Sequence, residues 1–101
     1  MNKQRNEPMD SYTEPNWTPL ELFHLSHVKP NGIIMADDHV YTVEMDDFMW
    51  MHRNDTIECY KHRITRSYLN IDNNGLFWLY RNGKYRETSK NGALKSLFRL
   101  D

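Results

Sequence analysis

The chain has 101 residues, of which 39% are hydrophobic and 13% aromatic, and a formal net charge of −1. This is the length of one domain, and its large aromatic side chains can bury enough surface for one core, which argues against disorder of the whole chain. Cys59 is the only cysteine, so an intramolecular disulfide is excluded. No apolar run resembles a signal peptide or approaches the roughly 20 residues of a membrane span. We therefore expect a soluble, cytoplasmic protein without membrane contact.

The charges are distributed unevenly along the chain. Residues 1–58 hold 11 acidic and 4 basic residues, whereas residues 59–101 hold 3 acidic and 9 basic residues. Either the two halves neutralise each other across one fold, or a basic face is directed at an anionic partner. Both interpretations stay open at this point.

The N-terminal region predicts a tail followed by a helix. Residues 1–16 are polar and contain two prolines, which predicts a flexible tail and leaves one α+β domain over residues 17–101. Thr18-Pro19-Leu20-Glu21 has the spacing of a capping box with Thr18 as N-cap. A helix over 19–28 follows, and its apolar side is formed by Leu20, Leu22 and Phe23.

The middle of the chain predicts strands. A period of two begins at Ile33, and residues 40–45 alternate and are rich in β-branched and aromatic side chains. Residues 48–52 and 56–64 are further predicted strands, because Asp46-Asp47 and Asn54-Asp55 punctuate this stretch as turns.

The C-terminal third predicts a meander and a second helix. Asn74-Gly75 and Asn82-Gly83 are hairpin signals between alternating hydrophobic residues, which predicts strands over 67–72, 76–81 and 84–88. Thr88 or Ser89 then caps a helix over 90–100 whose apolar stripe faces the sheet. We therefore predict an α+β fold that has a small antiparallel sheet of about four to six strands, with a C-terminal meander, together with an N-terminal helix and a C-terminal amphipathic helix.

The second hairpin gathers positive charge. A two-residue loop at Asn82-Gly83 places Arg81 opposite Lys84 and Leu79 opposite Arg86. Because side chains alternate across a sheet, Arg81, Lys84 and Arg86 share one face near the hairpin tip. Like charges side by side are destabilising unless an anion binds them, although salt screens this repulsion at an exposed tip.

The first hairpin has two alternative registers. A two-residue loop at Asn74-Gly75 puts Leu76, Trp78 and Tyr80 on the core face, and we favour it because it exposes fewer large apolar groups. A three-residue loop, Asn73-Asn74-Gly75, shifts the register by one residue and so reverses the faces. Phe77 and Leu79 then enter the core, and an aromatic platform forms from Tyr68, Trp78, Tyr80 and Tyr85.

Two functional hypotheses follow. The first is a non-enzymatic module that binds nucleic acid or a nucleoprotein complex through the basic, aromatic-rich C-terminal half. Its predicted contacts are Arg81, Lys84 and Arg86, flanked by Lys61, Arg63, Arg66 and Lys90. The second is a small inhibitor or adaptor, monomeric or homodimeric, that binds a protein partner through acidic residues. Its predicted contacts are Asp37, Asp38, Glu44, Asp46 and Asp47.

No catalytic, cofactor or metal site is predicted. His24, His27, Cys59 and His62 have spacings that suit a metal, but structural zinc sites usually contain more cysteine. Neighbouring acids such as Asp46-Asp47 point in opposite directions on a strand, so they do not form a catalytic pair. We therefore expect a binding protein without a cofactor and without enzymatic activity.

Overall fold

The structure, a computed structural model, describes residues 14–100 and contains two helices and seven strands in this range. Residues 1–13, most of the predicted tail, lie outside the described residues, as does Asp101. In chain order the elements are α1 (Thr18–His27), β1 (Ile33–Ala36), β2 (His39–Thr42), a 3-10 turn (Met45–Asp47), β3 (Phe48–Asn54), β4 (Ile57–His62), β5 (Tyr68–Asp72), β6 (Phe77–Arg81), β7 (Lys84–Thr88) and α2 (Lys90–Leu97).

The sheet topology confirms the predicted α+β fold. Strands β3 to β7 form a five-stranded antiparallel sheet in which every strand neighbours the next one in sequence. Strands β1 and β2 form a separate two-stranded hairpin. Within residues 14–100, no helix is long and apolar enough to cross a membrane.

Helix α1 begins differently from the prediction. Trp17, not Thr18, occupies the N-cap position, and its carbonyl accepts the backbone N–H of Glu21 at 2.9 Å. Thr18 is the first helical residue, and the Asn16 side chain accepts its backbone N–H at 3.1 Å. The Trp17 ring stacks on Tyr60 with centroids 5.6 Å apart, so a tertiary contact accompanies the helix start in place of the predicted capping box.

The apolar side of α1 is narrower than predicted. Leu20 and Phe23 are buried against the sheet, whereas Leu22 is 54% exposed. The Phe23 ring meets Phe77 of β6 edge-on at 5.6 Å. Leu22 therefore does not belong to the core.

Helix α2 begins as predicted and ends early. The Ser89 side chain accepts the backbone N–H of Gly92 at 3.0 Å. The helix ends at Leu97 and not at residue 100, because Arg99 adopts a left-handed φ of 63°. The backbone N–H groups of Arg99 and Leu100 donate to Ser96 and Lys95 at 3.2 and 2.7 Å, the pattern of a Schellman motif with arginine in the glycine position.

Both helices cover the same face of the sheet, which we call the helix-bearing face. The core lies between this face, the two helices and the β1–β2 hairpin. Its fully buried members come from both helices, from β1 and the residue after β2, and from β4 and β5: Leu20, Ile34, Val43, Tyr60, Leu69, Ile71, Leu94 and Leu97. The opposite side of the sheet, which we call the outer face, carries the alternate residues of each strand.

The register between β5 and β6 corrects the favoured prediction. Ile71 pairs with Phe77 and Asn70 with Trp78, which is the register of the three-residue loop. Asp72 organises this turn: its Oδ1 accepts the backbone N–H groups of Asn74 and Leu76 at 2.8 and 3.0 Å. Its Oδ2 accepts the indole N–H of Trp78 at 3.0 Å, which holds Trp78 on the outer face.

The β6–β7 hairpin confirms its predicted register. Arg81 pairs with Lys84, and Leu79 pairs with Arg86. The two loop residues, Asn82 and Gly83, have φ values of 54° and 78°, as a type I′ turn requires.

Candidate functional site

A cleft opens where β5 and β6 separate. These strands share only two paired positions, the last being Asn70 with Trp78, whereas β6 and β7 share five. Beyond Trp78 the β6–β7 hairpin therefore leaves the rest of the sheet. The resulting cavity has a volume of about 580 Å³ and is lined by His52, Asn54, Ser67, Tyr68, Asn70, Leu79, Tyr80, Arg81, Tyr85 and Ser96.

The outer face around this cleft is concave. The Tyr85 hydroxyl on β7 lies 3.5 Å from the Sγ of Cys59 on β4. A flat sheet would hold β4 and β7 about 14 Å apart, three times the spacing between neighbouring strands. Twist and curl therefore bring the β6–β7 hairpin back over the sheet.

Two pairs of aromatic rings line the cleft. Tyr80 and Tyr85 come from the β6–β7 hairpin, with ring centroids 4.8 Å apart. His52 of β3 and Tyr68 of β5 come from the rest of the sheet, with centroids 6.2 Å apart. Tyr80 is 56% exposed, so its ring is accessible to a planar ligand.

Positive charge lies beside these rings. The Lys61 Nζ is 5.9 Å from the centroid of the Tyr68 ring on the outer face. Arg81 lines the cleft, and its guanidinium donates to the Ser96 hydroxyl at 3.3 Å. None of the ten lining residues is Asp or Glu. The cleft is therefore suited to an anionic ligand with planar groups.

Two carboxylates alternate onto the outer face outside this lining, Asp72 and Glu87. Asp72 is buried and fully engaged in the turn described above. Burial alone would raise the pKa of Asp72, but hydrogen bonds from Trp78 and from backbone N–H groups lower it below the ordinary value. Glu87 pairs with Trp78 on the β7 side of the hairpin.

The predicted hairpin cations share a face, but it is the helix-bearing one. Arg81, Lys84 and Arg86 alternate with the outer-face tyrosines, and Arg81 reaches both the cleft and helix α2. Lys84 and Arg86 are exposed, and neither forms an ion pair with another residue of the described range 14–100.

The four flanking cations are dispersed. Lys61 belongs to the outer face, whereas Arg63 pairs with Asp47 at 3.0 Å. Arg66 is exposed in the loop between β4 and β5, with a left-handed φ of 69°. Lys90 is the first residue of α2. The predicted residues therefore do not form one continuous patch, and only Lys61 and Arg81 accompany the aromatic rings.

The predicted acidic surface is partly engaged within the fold. Lys95 and the Asn91 amide bind Asp37 at 3.0 and 2.9 Å, and Asp47 pairs with Arg63. The remaining three members, Asp38, Glu44 and Asp46, are exposed. Part of the charge asymmetry of the chain is thus neutralised between its two halves.

The residues weighed for a metal site do not come together. Cys59 contacts Tyr85 on the outer face, whereas the His62 imidazole lies on the helix-bearing face. The His62 Nδ1 accepts the backbone N–H groups of Ile64 and Thr65 at 3.3 and 3.2 Å. Among residues 14–100, no three His, Cys, Asp or Glu side chains are placed to hold a metal ion.

Sequence reasoning missed His52, Asn54 and Asn70 as members of a site. The only feature of the sequence that pointed to them was the register of the three-residue loop, which predicted the aromatic platform next to them. Comparison with known proteins adds no relative, because no family model, no curated protein and no solved structure matches the chain. The cleft is therefore interpreted from its own residues.

Proposed function

We propose that this protein is a non-enzymatic module that binds single-stranded nucleic acid on its concave outer face. The observation that carries the proposal is the cleft between β5 and β6, where aromatic rings and Arg81 line one cavity and none of the lining residues within 14–100 is Asp or Glu. Aromatic rings stack on bases of any sequence, and each stacked base contributes about 1–3 kcal/mol.

The cations have distinct roles in this proposal. Lys61 and Arg81 lie closest to the rings, so they contact the phosphates next to the stacked bases. Lys84 and Arg86 project from the other side of the same hairpin and attract the strand without touching the bases. Each phosphate contact releases counterions, so affinity falls as salt rises.

The shape of the cleft favours a single strand over a duplex. A cavity of about 580 Å³ has the size of a small-ligand site. Paired bases in a duplex stack on each other and do not offer their faces to a protein, whereas unpaired bases can turn outward. Tyr80 and Tyr68 therefore require unpaired bases as partners.

The acidic protein-binding hypothesis has less support. Two of its five residues, Asp37 and Asp47, already bind Lys95 and Arg63 within the fold. A protein partner remains an outcome of the test below.

The test is a fluorescence anisotropy titration with labelled single- and double-stranded oligonucleotides of about 12 nucleotides, at about 50 and 200 mM salt. We expect the single strand to bind more tightly than the duplex and its affinity to fall at the higher salt. Tyr80→Ala should weaken binding at both salt concentrations, because stacking is not electrostatic. Arg81→Glu should weaken it and reduce the salt dependence.

Lys29→Glu is the matched control for Arg81→Glu. It makes the same charge change at an exposed position after helix α1, which covers the opposite face of the sheet. Equal losses from both variants would mean that only net charge matters. Binding by neither oligonucleotide at the lower salt would remove the proposal and favour a protein partner.

A further inference from the structure

Asn70 lines the cleft, and its side chain has a buried hydrogen-bond acceptor that is unused. Its side chain lines the cavity and is only 4% exposed. The Nδ2 donates to the Trp78 carbonyl at 3.0 Å, whereas the Oδ1 has no hydrogen-bond partner among residues 14–100. Buried amide oxygens in proteins normally accept a hydrogen bond. Because no donor among residues 14–100 bonds this oxygen, we expect the donor to come from a ligand.

The orientation of the Asn70 amide follows from its bond to Trp78. A carbonyl can only accept, so the nitrogen of the amide must face Trp78, and the oxygen is left for a ligand. A ligand that contacts the Asn70 Oδ1 must therefore present a hydrogen-bond donor there. A ligand that presents an acceptor would be repelled by this oxygen.

The register places this acceptor between two tyrosines. Asn70 and Trp78 are the last paired residues before β5 and β6 part. Had the ladder continued, the next outer-face pair would have been Tyr68 with Tyr80. Instead the strands diverge there, and both rings line the cavity together with Asn70. A planar group that enters between the two rings thus approaches Asn70.

We propose that the cleft is a pocket for one base that bears an exocyclic amino group, with the base between Tyr68 and Tyr80 and its amino group donating to the Asn70 Oδ1. This inference rests on the proposed binding of single strands and adds base selectivity to it. Arg81, at the same cavity, binds the phosphate of that nucleotide.

The hydrogen-bonding edges of the bases predict the selectivity. Adenine and cytosine carry an amino donor at the edge of the ring, and guanine carries one as well. Thymine and uracil have one ring N–H donor, which lies between two carbonyl acceptors. Those carbonyl groups would approach the Asn70 oxygen and repel it. We therefore expect amino-bearing bases to bind in preference to thymine or uracil.

The test changes the ligand and leaves the protein intact, so it does not depend on a variant that folds. One pair of oligonucleotides carries adenine or purine, which lacks the 6-amino group, at the central positions. A second pair carries cytosine or 2-pyrimidinone, which lacks the 4-amino group. In each pair we expect the amino-bearing oligonucleotide to bind about fivefold to tenfold more tightly, the factor for one hydrogen bond.

A variant locates the effect. In Asn70→Ala, the ratio within each pair should fall to about one. Equal affinities within both pairs for the native protein would overturn the base pocket and leave single-strand binding in place. Tighter binding of thymine than of cytosine would also overturn it. Absence of binding by every oligonucleotide would overturn both proposals together.

Discussion

The Tyr85 hydroxyl lies 3.5 Å from the Cys59 Sγ, so a side chain of the edge strand β7 contacts β4 across the concave outer face. Cys59 is 0% exposed under this cover. Burial raises the pKa of the Cys59 thiol, and the nearby Glu58 carboxylate adds to the rise, although the bond to Tyr85 opposes it. Burial also raises the pKa of Tyr85 to about 12. Both groups therefore stay neutral, and their contact joins the curled β6–β7 hairpin to β4.

This contact predicts the reactivity of Cys59. The native thiol should react with an aromatic disulfide reagent only as fast as the hairpin opens locally. Tyr85→Ala should accelerate the reaction roughly tenfold, the factor for an opening free energy about 1.4 kcal/mol lower. Tyr80→Ala is the control, because the Tyr80 ring neighbours Tyr85, whereas the Cys59 thiol bonds Ile57 and Tyr85. A rate unchanged by Tyr85→Ala would show that the hairpin does not cover the thiol.

Glu58 predicts a stability effect at the other side of the sheet. Its carboxylate is 1% exposed and accepts from the Trp50 indole at 2.7 Å and from the Arg53 Nε at 2.6 Å. Arg53→Met removes the counter-charge and should lower the free energy of unfolding by about 3 kcal/mol. Arg53→Met/Glu58→Gln should recover part of this loss, because a neutral amide needs no counter-charge. Urea denaturation of the three proteins checks the order, and an equal loss in the double variant would contradict it.

The contact between Gly92 and Thr88 predicts that substitutions in β7 and α2 have coupled effects on stability. A methyl group at position 92 would collide with the Thr88 hydroxyl. Alanine raises helix stability by about 1 kcal/mol over glycine, but here the collision opposes the gain. Gly92→Ala should therefore stabilise the Thr88→Ala protein more than the native protein, by about 1 kcal/mol. The four urea denaturation curves of this cycle measure the difference, and additive effects would contradict the collision.

His62 predicts a pH dependence of stability. Burial lowers the pKa of His62 below 6.5, and Arg63 reinforces the shift while Asp47 opposes it. The unfolded chain then binds more protons than the folded one, so the free energy of unfolding should decrease as pH falls through 6.5 and level off below the folded pKa. The Phe48 and Phe98 rings that pack on the imidazole offer no counter-charge.

Denaturation at about pH 7.5 and about pH 5.5 measures this slope. His62→Gln should flatten it. His27→Gln is the control for removal of a histidine. Burial and the Lys90 charge also lower the pKa of His27, but His27 lies at a more exposed site than His62. A slope unaffected by His62→Gln would contradict the burial of a neutral imidazole.

The two hairpins show which features the sequence could predict. Asn82-Gly83 favours one turn type through local backbone preferences, so its register was predictable from two residues. The register at Asn74-Gly75 depends on Asp72, whose carboxylate bonds two backbone groups and the distant indole of Trp78. No local preference contains that information, and the rule that large apolar groups avoid exposure favoured the wrong register.

The start of α1 and the cleft could not be predicted from local sequence patterns, because both depend on contacts between residues that are distant in sequence. Trp17 stacks on Tyr60, a residue more than forty positions away, and the helix begins there and not at the predicted cap. The shared face of Arg81 and Lys84 was predictable from alternation. Their relation to the tyrosines was not, because the cleft depends on where β5 and β6 part and on how far the sheet curls.

Photo-crosslinking tests the central claim most directly. A single-stranded oligonucleotide that contains 5-iodocytosine is irradiated with the native protein, and the modified peptides are identified by mass spectrometry. We expect crosslinks at Tyr68 and Tyr80, the two rings on either side of the cleft. Crosslinks confined to helices α1 and α2, or none under conditions where a known single-strand-binding protein crosslinks, would contradict binding at the outer face.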